Sequence, residues 1–160
     1  WFIGRYRGTY VGDPVFDRYL KSHHGNIVEA LKDAESPELN PKGEIISLKL
    51  QRSIRRRRMP DLYYNNVVLE YVKQVPSIAS LGISPLCRID DRGMAHIAEM
   101  TQLESLSLNG LHITDVGLRK LHSLRNLKLL SAYVTDCSEE GFREFQRAVP
   151  SCEVRSGSPE

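Results

Sequence analysis

The stretch TQLESLSLNGLHITDVGLRKLHSL, Thr101–Leu124, carries three kinds of local order in one short run. Leu103, Leu106 and Leu108 stand at L-x-x-L-x-L spacing, and the alternation at Leu106 and Leu108 predicts a short strand with one buried face. Ile113-Thr114-Asp115 reads as a turn. Gly117-Leu118, Leu121 and Leu124 then step by three, as on a helix packed against that strand. A single strand–turn–helix unit cannot bury its apolar side alone, so the neighbours decide what it becomes.

The neighbours repeat it. Ile45, Leu48 and Leu50 give one strand pattern; Ile78, Leu81 and Ile83 the next; Leu127, Leu130 and Ala132 follow the central one. The successive offsets are 33, 25 and 24 residues. A second ladder runs in phase: Gly93, Gly117 and Gly141, each followed by Met94, Leu118 or Phe142, with Ile97, Leu121 and Phe145 three further on. Leu69, Val72 and Val75 supply the corresponding helix of the first unit. Asp91 and Asp115 fall where an N-cap oxygen accepts from free helix N–H groups, which is a structural role.

Residues 44–154 resemble a leucine-rich repeat array of the I-T-D-x-G-L-x-x-L kind. Ile113-Thr114-Asp115-Val116-Gly117-Leu118-Arg119-Lys120-Leu121 matches at every fixed position, while Ile89–Met94 and Val134–Asp136 match in part. Val149–Val154 resembles a short closing strand. Two departures stand out: the first unit is eight or nine residues too long, and the last inserts Cys137–Glu139. The resemblance implies an α/β leucine-rich repeat right-handed solenoid of about four units, with strands on a concave side that usually binds another protein. Ahead of it, Asp13-Pro14 starts one helix, Gly25 ends it and Asn26 caps a second. Residues 1–43 therefore read as an arm and an α-helical N-terminal cap, and residues 155–160 as a disordered tail.

Composition sets bounds on function. The 160 residues fit one domain with its own core. A net charge of +2 gives no protein-wide field toward nucleic acid or membrane, and no apolar run reaches membrane-span length. Cys87, Cys137 and Cys152 form no C-x-x-C, and reduced thiols favour a cytoplasmic setting. A chain beginning at Trp1 reads as a fragment or processed form, so an envelope-anchored placement stays open.

Two surfaces are candidates for binding. Arg52, Arg55, Arg56, Arg57 and Arg58 crowd the insertion of the first unit, with Tyr63 just beyond. The run reads as a solvated loop, as a contact for a protein's acidic patch, or as a phosphate binder through forked guanidinium donors. The strand register also sketches an outward face: Ser47 and Lys49; Ser80 and Gly82; Ser105, Ser107 and Asn109; Leu129, Ser131 and Tyr133. Tyr133 is its one aromatic residue, and Tyr133 with Lys49, Ser107 and Asn109 makes the contact patch, because binding energy concentrates on Tyr, Trp and Arg. His23, His24, His96, His112 and His122 show no metal-ligand spacing, no nucleophile or phosphate-loop motif occurs, and Cys152 reads as a core residue. The expectation is a non-catalytic protein-binding scaffold without metal or cofactor. The alternatives are nucleic-acid or anionic-surface binding through the arginine loop, and a structural part of a larger envelope or multidomain protein.

Overall fold

In the computed structural model, the described residues are 21, 25–34, 37–51 and 64–157. Alternating side chains build the sheet. Strand β2 (Ile45–Leu50) buries Ile45, Leu48 and Leu50; β3 (Ser80–Ile83) buries Leu81 and Ile83; β4 (Ser105–Ser107) buries Leu106; β5 (Leu129–Tyr133) buries Leu130 and Ala132. The residues between them are exposed or half-buried, which leaves each strand with one wet side. These four strands and β6 (Glu153–Gly157) pair in parallel, and the two-residue β1 (Glu38–Leu39) adds antiparallel beside β2. The sheet order is β1-β2-β3-β4-β5-β6.

Among the described residues, five helices supply the other layer: α1 (Ile27–Ala34), α2 (Asn66–Val72), α3 (Met94–Ala98), α4 (Asp115–Lys120), which runs into a 3-10 turn at Leu121–Ser123, and α5 (Glu139–Ala148). Leu69, Val72, Met94, Ile97, Leu118, Leu121 and Phe145 join the inward strand residues in one continuous core. Each such side chain, taken fully out of water, contributes about 1.5–3 kcal/mol before entropy is charged against it. Asn26 caps α1 as expected, its Oδ1 accepting from Val28 N–H at 3.1 Å.

The repeat-solenoid expectation is corrected here. The α/β class stands, but the strands lie in one six-stranded mixed sheet rather than in a repeat solenoid; the helix expected from Asp13 lies outside the described residues. The antiparallel β1–β2 pair and the terminal β6 belong to the same hydrogen-bonded ladder as the inner strands. The sequence period reports the distance along the chain from one strand to its neighbour, and a strand–helix alternation across one sheet has such a period too. The periodicity therefore located the strands without settling the architecture they share.

Two local readings also change. The N-caps of α4 and α5 are Thr114 and Ser138, whose hydroxyls accept from Val116 N–H and Gly141 N–H. Asp91 and Asp115 act one step further along. Asp91 accepts from the Thr114 N–H at 2.8 Å and hydroxyl at 2.6 Å; Asp115 accepts from the Ser138 N–H at 2.8 Å and hydroxyl at 2.7 Å. Each carboxylate thus steadies the capping residue of the following helix. At the far end β6 runs through Arg155, Ser156 and Gly157, three residues assigned above to a disordered tail, because their main chain pairs with Ser131, Ala132 and Tyr133.

Candidate functional site

The side of the sheet away from the core is where unengaged side chains gather. Parallel pairing lines them up in rows across the strands. One row reads Ser47, Ser80, Ser105, Leu129 and Glu153; the next Lys49, Gly82, Ser107, Ser131 and Arg155. Tyr133 and Gly157 end a third. Each described helix turns its buried side chains into the single core on the opposite side, so none of the described helices covers this face.

The residues expected to make contact divide on inspection. Lys49 is exposed, its stem lying 3.5 Å from where a Cβ on Gly82 would stand, so the glycine gives the lysine a shelf. Ser107 and Asn109 are spent internally. Asn109 Nδ2 donates to Ser107 Oγ at 3.2 Å, and its Oδ1 accepts from Ser131 Oγ and Tyr133 N–H, both at 2.9 Å. This amide network holds the tops of β4 and β5 together. Lys49 and Tyr133 share the face but stand three strands apart, about 14 Å at the usual strand spacing. Arg52, Arg55, Arg56, Arg57, Arg58 and Tyr63 lie outside the described residues.

Arg155 is the neighbour that Tyr133 does have. It sits on β6, diagonal to Tyr133 across the β5–β6 ladder and within its electrostatic reach. Glu153 Oε1 accepts from Arg155 Nε at 2.7 Å and raises the guanidinium's pKa further still. Leu129, Tyr133, Glu153 and Arg155 thus form a patch with an apolar base, an aromatic ring and a fixed charge pair. The missed signal was arithmetic: Leu129, Ser131 and Tyr133 advanced by the 24-residue period give Glu153, Arg155 and Gly157.

Other titratable groups are bound up in the fold. The Ser138 hydroxyl and N–H hold the Asp115 pKa below the usual carboxylate value. Burial would raise Asp90, but hydrogen bonds from Arg92 and from the Asn66 amide outweigh it and lower the pKa. Both carboxylates are therefore fixed acceptors. Desolvation lowers the His122 pKa; its ring packs against Phe145 at 5.9 Å between centroids, and its Nε2 has no hydrogen-bond partner among the described residues. Cys152 is buried, as expected of a core residue.

A cavity of about 540 Å³ opens at the end of β5 and β6, lined by Ala132, Val134, Cys137, Phe142, Arg143 and Ser156. Burial pushes the Cys137 thiol up to about 11, and its Sγ donates to Ile113 C=O at 3.2 Å. That makes it a protonated wall group rather than a nucleophile. Val134 stands at φ 54°, a left-handed conformation that costs a β-branched residue on the order of 1–3 kcal/mol. Its N–H donates to Gly157 C=O at 3.1 Å, which holds the turn in place. Among the described residues no group of three or more His, Cys, Asp or Glu side chains is placed to hold a metal ion, and no helix is long and apolar enough to cross a membrane. In comparisons with known proteins, no family model matches the chain and no curated protein matches it.

Proposed function

We propose that this chain is a non-catalytic binding module that engages a protein partner through the open face of its sheet, centred on Tyr133 and Arg155. The observation that carries the reading is the patch itself: an aromatic and an arginine side by side on a rigid parallel ladder, flanked by small hydroxyl residues. Rigid Tyr and Arg side chains with low-relief surroundings are the composition on which binding energy concentrates. The leucine-rich repeat resemblance of residues 44–154 supports the same class of function. Arg52–Arg58 adds positive charge between β2 and α2 in the chain order, which fits a partner with acidic groups.

The test is site-directed photo-crosslinking from position 133, followed by titration of the purified crosslinked partner. Tyr133→Ala combined with Arg155→Ser is expected to weaken binding at least tenfold, equivalent to about 1.4 kcal/mol. Arg143→Ser, on the helix layer, leaves it unchanged. Equal affinity for the double variant and the wild type, or loss only on Arg143→Ser, sinks the reading.

A further inference from the structure

The outer edge of β6 lies beside the proposed partner face and is not used by it. Glu153 N–H donates to Lys128 C=O at 2.8 Å, and Gly157 C=O accepts from Val134 N–H at 3.1 Å. Successive residues of a strand turn their main-chain groups to opposite sides, so Glu153, Arg155 and Gly157 face β5 while Val154 and Ser156 face away from it. No described strand lies beyond β6. Two N–H donors and two C=O acceptors therefore stand at the edge. The outward-facing residue upstream, Cys152, has nothing left to offer: its N–H donates to Val149 C=O at 3.1 Å and its C=O accepts from Gln146 Nε2 at 2.8 Å. Among the described residues, the other edge of the sheet is the two-residue β1.

A second β6 running antiparallel satisfies all four groups at once. With Arg155 on a twofold axis, Val154 opposes Ser156 of the copy, and each of the two such pairs exchanges two hydrogen bonds. Moving the register one residue upstream would call on Cys152 and keep a single bonded pair. The side chains agree with the first register. Val154 is half-buried on the core side, opposite Leu130 in the ladder, and Ser156 lines the cavity at the end of β5 and β6. The copy's Val154 would lie beside Ser156 and cover that mouth. On the open side Gly157 faces Glu153 of the copy and presents no side chain to clash with it. Arg155 meets its own copy across the axis, a like-charge contact that each chain's own Glu153, at 2.7 Å, offsets only in part.

We propose that β6 pairs antiparallel with β6 of a second copy of this chain, joining two six-stranded sheets into one. Four main-chain bonds and a small apolar contact fall short of the roughly 1,000 Å² that marks a permanent interface, so the association is transient. Sedimentation equilibrium from about 10 μM to about 1 mM tests it. The apparent mass is expected to climb from 18.2 kDa toward twice that value. Ser156→Pro removes an outward N–H and leaves the β5 ladder intact, since proline is tolerated on the free side of an edge strand. It is expected to stay monomeric throughout, with an unchanged circular dichroism spectrum. Arg155→Thr removes the like charges that meet on the axis and is expected to tighten association several-fold. A wild type that is monomeric at the highest concentration overturns the proposal, as does a folded Ser156→Pro that associates like the wild type. If Ser156→Pro does not fold, Arg155→Thr decides: tighter association supports this register, and looser or unchanged association overturns it.

Discussion

Gly117→Ala should destabilise the protein even though alanine is the better helix former. A Cβ at Gly117 would stand 2.9 Å from Ile113 Cγ2 and 3.0 Å from Asp91 Cγ, with the Asp91 Oδ1 closer still. Methyl and carboxylate cannot share that space. The carboxylate is also not free to swing, because it accepts two bonds from Thr114 at 2.8 and 2.6 Å. Relief comes by breaking those bonds or by lifting α4 off its neighbour. Hydrogen bonds to a charged group are worth roughly 1.5–3 kcal/mol each, the lower end applying at this half-exposed site. Against about 3 kcal/mol of loss stands a helix-propensity gain of about 1 kcal/mol. The net is a destabilisation of about 2 kcal/mol, or a melting point lower by roughly 4–8 °C for a chain of this length. Urea titration followed by circular dichroism measures it, and Asp91→Ala supplies the control. With the carboxylate gone, most of the obstruction is gone, so Gly117→Ala should cost far less in that background. A Gly117→Ala variant at or above wild-type stability, or an equal cost in both backgrounds, refutes the reasoning.

Two further outcomes follow from the half-buried groups His122 and Cys137. Folding lowers the His122 pKa beneath the ordinary histidine value of 6.5, through desolvation, with Arg119 and Arg125 adding to it and Glu144 opposing. The unfolded chain therefore binds the proton more readily. The contribution of His122 is intact above pH 6.5 and lost as pH falls from there through the folded value. His122→Gln should flatten the fall in urea midpoint between pH 7.5 and 5, and an unchanged slope would remove His122 as its cause. Cys137, with its thiol near 11 against the ordinary 9.0, should react with iodoacetamide at pH 8 some ~10- to 100-fold more slowly than a free thiol. Mass spectrometry of the labelled protein reads the rate, and labelling at the free-thiol rate contradicts the assigned burial.

How much was legible depended on the distance over which each signal acts. The strands at Leu48, Leu81, Leu106 and Leu130 were readable because apolar alternation is a local consequence of burying one face. The Asn26 cap was readable for the same reason, since donor and acceptor lie two residues apart. Asp91 and Asp115 were misplaced because their partners are Thr114 and Ser138, 23 residues away; locally, Asp115 stands one residue past the Thr114 cap and Asp91 two residues before Gly93, offsets that chain position alone does not tell from a cap. Strand β1 carries no pattern; its two exposed residues are held by main-chain pairing with β2. The solenoid expectation failed because a period specifies neighbours and not the architecture they share. In the candidate site, Tyr133 and Lys49 were placed on the right face. Arg155 was lost because the array was ended at residue 154, one residue short of it.

The glycine ladder has a direction. Gly93, Gly117 and Gly141 each leave room for an oxygen from an earlier helix start, supplied in turn by Asn66, Asp91 and Asp115. For α4 and α5 that same carboxylate also clasps the residue capping the helix, so its start is finished by a group already synthesised. The dependence runs one way, from the amino end toward the carboxyl end. A nascent chain leaving the ribosome can therefore complete each of these layers without waiting for sequence still to come. By the same logic a deletion from the front exposes an unfinished helix start to water, and one from the back of the molecule does not.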